Sequence, residues 1–126
     1  MTESNVERAR RGYEAARRGD LEAIRELLAP DVKWHGGDPS DPEACRNRGE
    51  AIEFMRQARR RGPGELVDVI EGVDDKVVLI IRRPPEGGEK AALSANLTTF
   101  RDGRAVEMVH YPDVADALAA AGVPVA

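Results

Sequence analysis

Cysteine is almost missing from this 126-residue chain: Cys45 stands alone. One thiol excludes an intrachain disulfide and a cysteine-based zinc site. It suits a reducing compartment, so a cytoplasmic location is expected. Aromatic residues are also scarce, at 4%. With so many alanines beside them, the interior has room to stay unfilled. Lysine is confined to Lys33, Lys76 and Lys90, and the rest of the positive charge is arginine. No apolar run approaches the roughly 20 residues of a membrane helix. The polar start, Met1 to Asn5, lacks the basic-then-apolar order of a secretion signal. No membrane partner is therefore expected, and the triplet Asn96-Leu97-Thr98 is read as a chance match to a glycosylation site. A net charge of −4 argues against nucleic acid, which selects a clustered positive field. The basic run Arg59-Arg60-Arg61 reads as a solvated helix end.

What is present is a single domain's worth of periodic sequence over residues 1–126. Ser4 and Glu7 form a capping box before a helix with Val6, Ala9, Tyr13 and Ala16 on one face, closed by Gly19. Asp20 caps a second helix, with Leu21, Ile24, Leu27 and Leu28 inward, ended by Pro30. Asp31 to His35 reads as a short extended segment, and Gly36 to Gly49 as a loop. A third helix spans about Glu50 to Arg60, with Ile52, Met55 and Phe54 inward, and Gly62-Pro63-Gly64 breaks it. The period then becomes two. Asp74-Asp75, Pro84 to Gly88 and Asp102-Gly103 divide four strands, and the last signal is a two-residue hairpin turn. Pro112-Asp113 opens a final helix, Val114 to Ala121. Helices followed by an antiparallel meander define an α+β fold.

Two consequences follow from the strands. Val77 to Ile81 is apolar on both faces, one more face than the helices cover, so a homodimer through the sheet is expected. If Asp102-Gly103 is a simple two-residue turn, Leu97 faces Met108 and Ala95 faces His110. Ala95, Leu97, Met108 and His110 then share an apolar face that reads as a cavity wall. Ser94, Asn96, Thr98, Glu107 and Tyr111 share the other, which suits solvent or a wet interface. A slip of one residue exchanges these assignments.

The order of elements resembles the nuclear transport factor 2-like superfamily, and within it the SnoaL-like branch. Tyr13 to Asp20, Leu27 to Val32, Trp34-His35, Arg48 to Ile52, Asp102-Gly103-Arg104, Tyr111-Pro112-Asp113 and Ala121-Gly122 carry the resemblance. It implies a cone: N-terminal helices packed in a bent antiparallel sheet around a cavity for a small, mostly apolar organic ligand. Relatives include polyketide cyclases and ketosteroid isomerases, and their chemistry implies cofactor-free proton transfer. The isomerases place a carboxylate base at the strand end where this chain has His35. The resemblance thus implies a cyclase, isomerase or hydratase, or alternatively a binding protein or dimeric scaffold without chemistry.

The candidate site residues are few. His35 and His110 are candidate proton carriers, since imidazole titrates near neutrality. The alternative for His35 is a hydrogen-bonded strand-end histidine. Because strand neighbours point to opposite faces, Trp34 packs elsewhere if His35 faces the cavity. Tyr13 is a candidate oxyanion donor or a core tyrosine with a satisfied hydroxyl. Asp38 is a turn residue or a group at the cavity mouth. Trp34, Leu97 and Met108 are candidate ligand contacts. A metal on His35, His110 and Asp38 is not demanded by the spacing, and no cofactor or metal is expected. Cys45, flanked by Arg46 and Arg48, is a candidate for a lowered thiol pKa.

Overall fold

The computed structural model describes residues 3–58, 64–83 and 92–124. The basic run at 59–61, the break at 62–63 and the turn at 84–88 lie outside these. Helix α1 runs Asn5–Arg18. Ser4 caps it by accepting from the Glu7 N–H, and Gly19 closes it in a left-handed conformation at φ 72° that a side chain would disfavour. Asp20 caps α2, Leu21–Leu27, through the Ala23 N–H. Strand β1, Leu28–His35, follows without a loop, three residues earlier than the extended segment read from the sequence. Pro30 therefore lies inside a strand instead of after a helix. It is tolerated because β1 is an edge strand and its register shifts between Leu28 and Lys33, so the missing N–H interrupts no continuous ladder.

Helix α3 is Arg48–Ala58. Strands β2 (Glu65–Glu71), β3 (Lys76–Arg83), β4 (Ala92–Arg101) and β5 (Arg104–Tyr111) form the antiparallel meander, and α4 (Val114–Ala120) is the last element among the described residues. The sheet order is β1-β5-β4-β3-β2, with β1 added parallel to β5. Asp102 and Gly103 take φ values of 53° and 81°, as a type I′ turn requires.

Two cores lie on opposite sides of this curved sheet. The inner one joins α1, α2 and α3 to Val69, Val77, Leu79, Phe100 and Met108. The outer one joins α4, through Ala117 and Ala121, to Val78, Ile80, Ala95, Leu97 and Val109. The second face of β3 thus has a cover within the chain, which the sequence argument for a dimer did not assign. Within α3, Ile52 is buried while Phe54 is 49% exposed. Its ring meets Trp34 edge to face, with centroids 4.9 Å apart.

The β4–β5 register differs from the simple hairpin. Phe100 does face Ala105, but Thr99 faces Glu107, so Val106 is an extra residue in a bulge. Beyond it Thr98 faces Met108, Leu97 faces Val109, Asn96 faces His110 and Ala95 faces Tyr111. The expected apolar set is therefore split. Met108 and His110 are on the inner face, whereas Ala95 and Leu97 are on the outer one.

Candidate functional site

The inner wall is built by alternate residues of four strands. Leu79 of β3 pairs with Asn96 of β4, and Asn96 with His110 of β5. One step along, Val77 pairs with Thr98, Thr98 with Met108, and Met108 with Trp34 of β1. Ser94 faces Ile81 on the same side. On β4 the polar residues Ser94, Asn96 and Thr98 thus point toward the helices, and the apolar Leu93, Ala95 and Leu97 point away. The inner wall combines the aromatic Trp34 and the apolar Leu79 and Met108 with a polar stripe. Thr98 is buried, and the Asn96 Oδ1 atom is buried with no hydrogen-bond partner.

The two histidines do not converge. His35 pairs with Val109 and so lies on the outer face, with Trp34 on the inner one. Its side chain is 5% exposed. The Gly37 N–H donates to its Nδ1 at 3.0 Å, and Nε2 lies 3.0 Å from Glu107 Oε2. A nitrogen that accepts from an amide carries a lone pair, so the proton sits on Nε2 and is donated to the carboxylate. Both nitrogens are thereby occupied, and His35 has no free lone pair to serve as a base. His110 is exposed, on the inner side, directly opposite Asn96. As candidate proton carriers the two imidazoles cannot act on one ligand together, because the sheet lies between them.

The remaining candidates separate in the same way. The Tyr13 hydroxyl donates to the Gly64 carbonyl at 2.5 Å and accepts from the Leu66 N–H at 3.1 Å. It ties α1 to the start of β2, and both hydroxyl roles are used by backbone. Asp38 closes an exposed turn by accepting from the Ser40 hydroxyl at 2.6 Å and the Ser40 N–H at 2.9 Å. These bonds hold its carboxyl below the usual range. Leu97 is buried beneath α4 in the outer core, not in a cavity. Trp34 and Met108 are side by side on the inner wall. Cys45 pairs its backbone with Trp34. Burial, then the charge of Glu50, raises its thiol pKa, while Arg46 pairs with Glu50. The expected activation is reversed.

Among the described residues no three His, Cys, Asp or Glu side chains are grouped to hold a metal, and no helix is long and apolar enough to cross a membrane. Two open grooves stand out. One of about 460 Å³ lies between the Pro42–Arg46 segment and α3, floored by Cys45 and Phe54. The other, about 380 Å³, lies between Arg8 and the two hairpin turns at Asp75 and Asp102. Neither touches the histidines.

A bent sheet around N-terminal helices, with a mixed inner wall, defines the α+β cone class of the nuclear transport factor 2-like proteins. The model of the SnoaL-like domain matches residues 9–108, and the chain belongs to that family. Solved structures agree on the fold. Bal32a, from a soil-derived mobile gene cassette, is 24% identical with a TM-score of 0.71, over 85% of this chain and 87% of that one. An NTF2-like protein of unknown function from Burkholderia pseudomallei is 25% identical with a TM-score of 0.67, over 95% and 98%. TerC, co-crystallised with polyporic acid, is 22% identical with a TM-score of 0.65, over 89% and 93%. No curated protein matches the chain by sequence.

The residues that sequence reasoning missed are Ser94, Asn96, Thr98 and Glu107. Alternation correctly separates the two faces of β4. The usual assumption that the polar face meets solvent fails, because β4 turns that face toward the helices beside Val77, Leu79 and Ile81.

Proposed function

We propose that this SnoaL-like protein binds a small, mostly apolar organic molecule against the inner wall of its sheet. The observation that carries the reading is the polar stripe Ser94-Asn96-Thr98 on the helix-facing side of β4. A surface that served only to pack helices would be apolar there, because buried polar groups need partners. Trp34, Leu79 and Met108 supply the apolar contact, and the polar stripe fixes orientation. The test is a protein-observed NMR titration with small apolar fragments. Shifts at the Trp34 indole and at the Ser94, Asn96 and Thr98 amides are expected. Shifts confined to the outer-face residues Ala95, Leu97 and Val109 overturn the reading.

One observation favours a catalytic version. His110 has no hydrogen-bond partner among the described residues and stands directly across from Asn96. It is the histidine able to exchange a proton with a ligand on that wall, whereas His35 and Tyr13 are committed to structure. On a turned-over substrate, His110→Gln removes activity without changing the melting temperature in this version. Unchanged turnover leaves binding alone. The homodimer remains part of the proposal, through the section of the outer face beyond α4, where Leu93 is 46% exposed.

A further inference from the structure

Asn96 Oδ1 is the only fully buried side-chain nitrogen or oxygen among the described residues that lacks a hydrogen-bond partner. An amide oxygen accepts but cannot donate. A buried acceptor without a protein donor is costly, while pairing it recovers that cost. Its surroundings define what completes it. Leu79 and His110 are its cross-strand neighbours, and Thr98 and Ser94 are its nearest same-face neighbours along β4. Cross-strand Cβ atoms stand about 5 Å apart and same-face strand neighbours about 7 Å. One small group placed over Asn96 is therefore within reach of both His110 and Thr98.

We infer that the ligand's buried end carries a hydroxyl group, donated to Asn96 Oδ1. This rests on the inner-wall binding reading and names its ligand class. A bare hydrocarbon or an ether offers no proton, and it supplies the carbonyl of Asn96 with no donor. A hydroxyl gives its proton to Asn96 and keeps lone pairs that accept from the Thr98 hydroxyl or the His110 ring. Trp34, Met108 and Leu79 then take the apolar body. Asn96 becomes the residue that sets specificity, by discriminating for a donor through an unpaired acceptor.

The experiment compares two probes of nearly equal shape, 2-naphthol and 2-methoxynaphthalene. Dissociation constants come from NMR titration, with the Asn96 side-chain amide and the Trp34 indole as reporters. The wild type is expected to prefer the naphthol by about tenfold, the scale of one buried hydrogen bond. Asn96→Leu removes the acceptor and should erase the preference. Asn96→Ala removes it without added bulk and should do the same if the leucine variant folds poorly. If both probes bind equally, or if either folded variant keeps the preference, the hydroxyl assignment is overturned and inner-wall binding stands. If neither probe shifts the reporters, both fall together.

Discussion

His35 shows how a residue of reactive type is consumed by architecture. Its Nδ1 accepts from the Gly37 amide and its Nε2 proton goes to Glu107, so it anchors the start of the loop after β1 to the middle of β5. His35→Ala leaves the Gly37 N–H unpaired and opens a void at the sheet, and should cost about 2–3 kcal/mol in denaturant unfolding. Glu107→Gln keeps an acceptor on a half-exposed side chain and should stay within about 0.5 kcal/mol. A His35→Ala protein that melts like the wild type but has lost turnover would return His35 to the chemistry. The sequence announced His35 by its rarity. Its role depended on strand parity relative to Val109, and two adjacent residues, Trp34 and His35, necessarily divide between the faces. Asn96 carried no such signal, since an asparagine in an alternating strand reads as solvent-facing until the register is known.

The helices were the most legible elements because their ends are chemical. Ser4, Asp20 and Asp113 all cap as their spacing indicates. The start of α3 was read late because its cap is an asparagine box. The Asn47 side chain accepts from the Glu50 N–H at 2.9 Å, and Glu50 accepts from the Arg46 N–H at 2.8 Å and from the Arg46 guanidinium. The Arg46 side chain, then its backbone N–H, lowers the Glu50 pKa below the ordinary 4.5. The unfolded chain therefore takes up this proton first as pH falls. The contribution is full above about pH 4.5 and disappears as pH drops through the lower folded value. Glu50→Gln should lower the melting temperature at neutral pH and flatten the acid limb of a melting-temperature profile. An unchanged limb would show that the box does not stabilise α3. The hairpin turn was equally legible. Gly103→Ala forces a side chain to φ 81° and to 3.4 Å from Arg8 Nε, and should cost about 1–2 kcal/mol in equilibrium unfolding. The bulge was not legible. A single extra residue leaves no compositional trace, yet it reverses the faces of everything beyond it.

For the whole molecule, sequence reasoning reached the α+β cone but overestimated how much apolar sheet the chain leaves bare. Seven residues of α4 were enough to cover Val78, Ala95, Leu97 and Val109, because small side chains at Ala117 and Ala121 bring the helix close to the strands. What remains for a second copy is the end of the outer face, around Leu93 on β4 and the half-buried Tyr111 on β5. A stable dimer hides about 800 Å² on each subunit, more than Leu93 alone supplies. A dimer interface here would have to extend across the exposed surface of α4 or toward Lys33 on β1 and Glu107 on β5. Wild-type protein should sediment as a dimer at micromolar concentration, and Leu93→Asp should shift it to monomer without unfolding it. A wild-type monomer removes the dimer from the proposal. A dimer indifferent to Leu93→Asp moves the interface off the outer face, and the inner-wall site is unaffected by either result because the sheet itself separates the two surfaces.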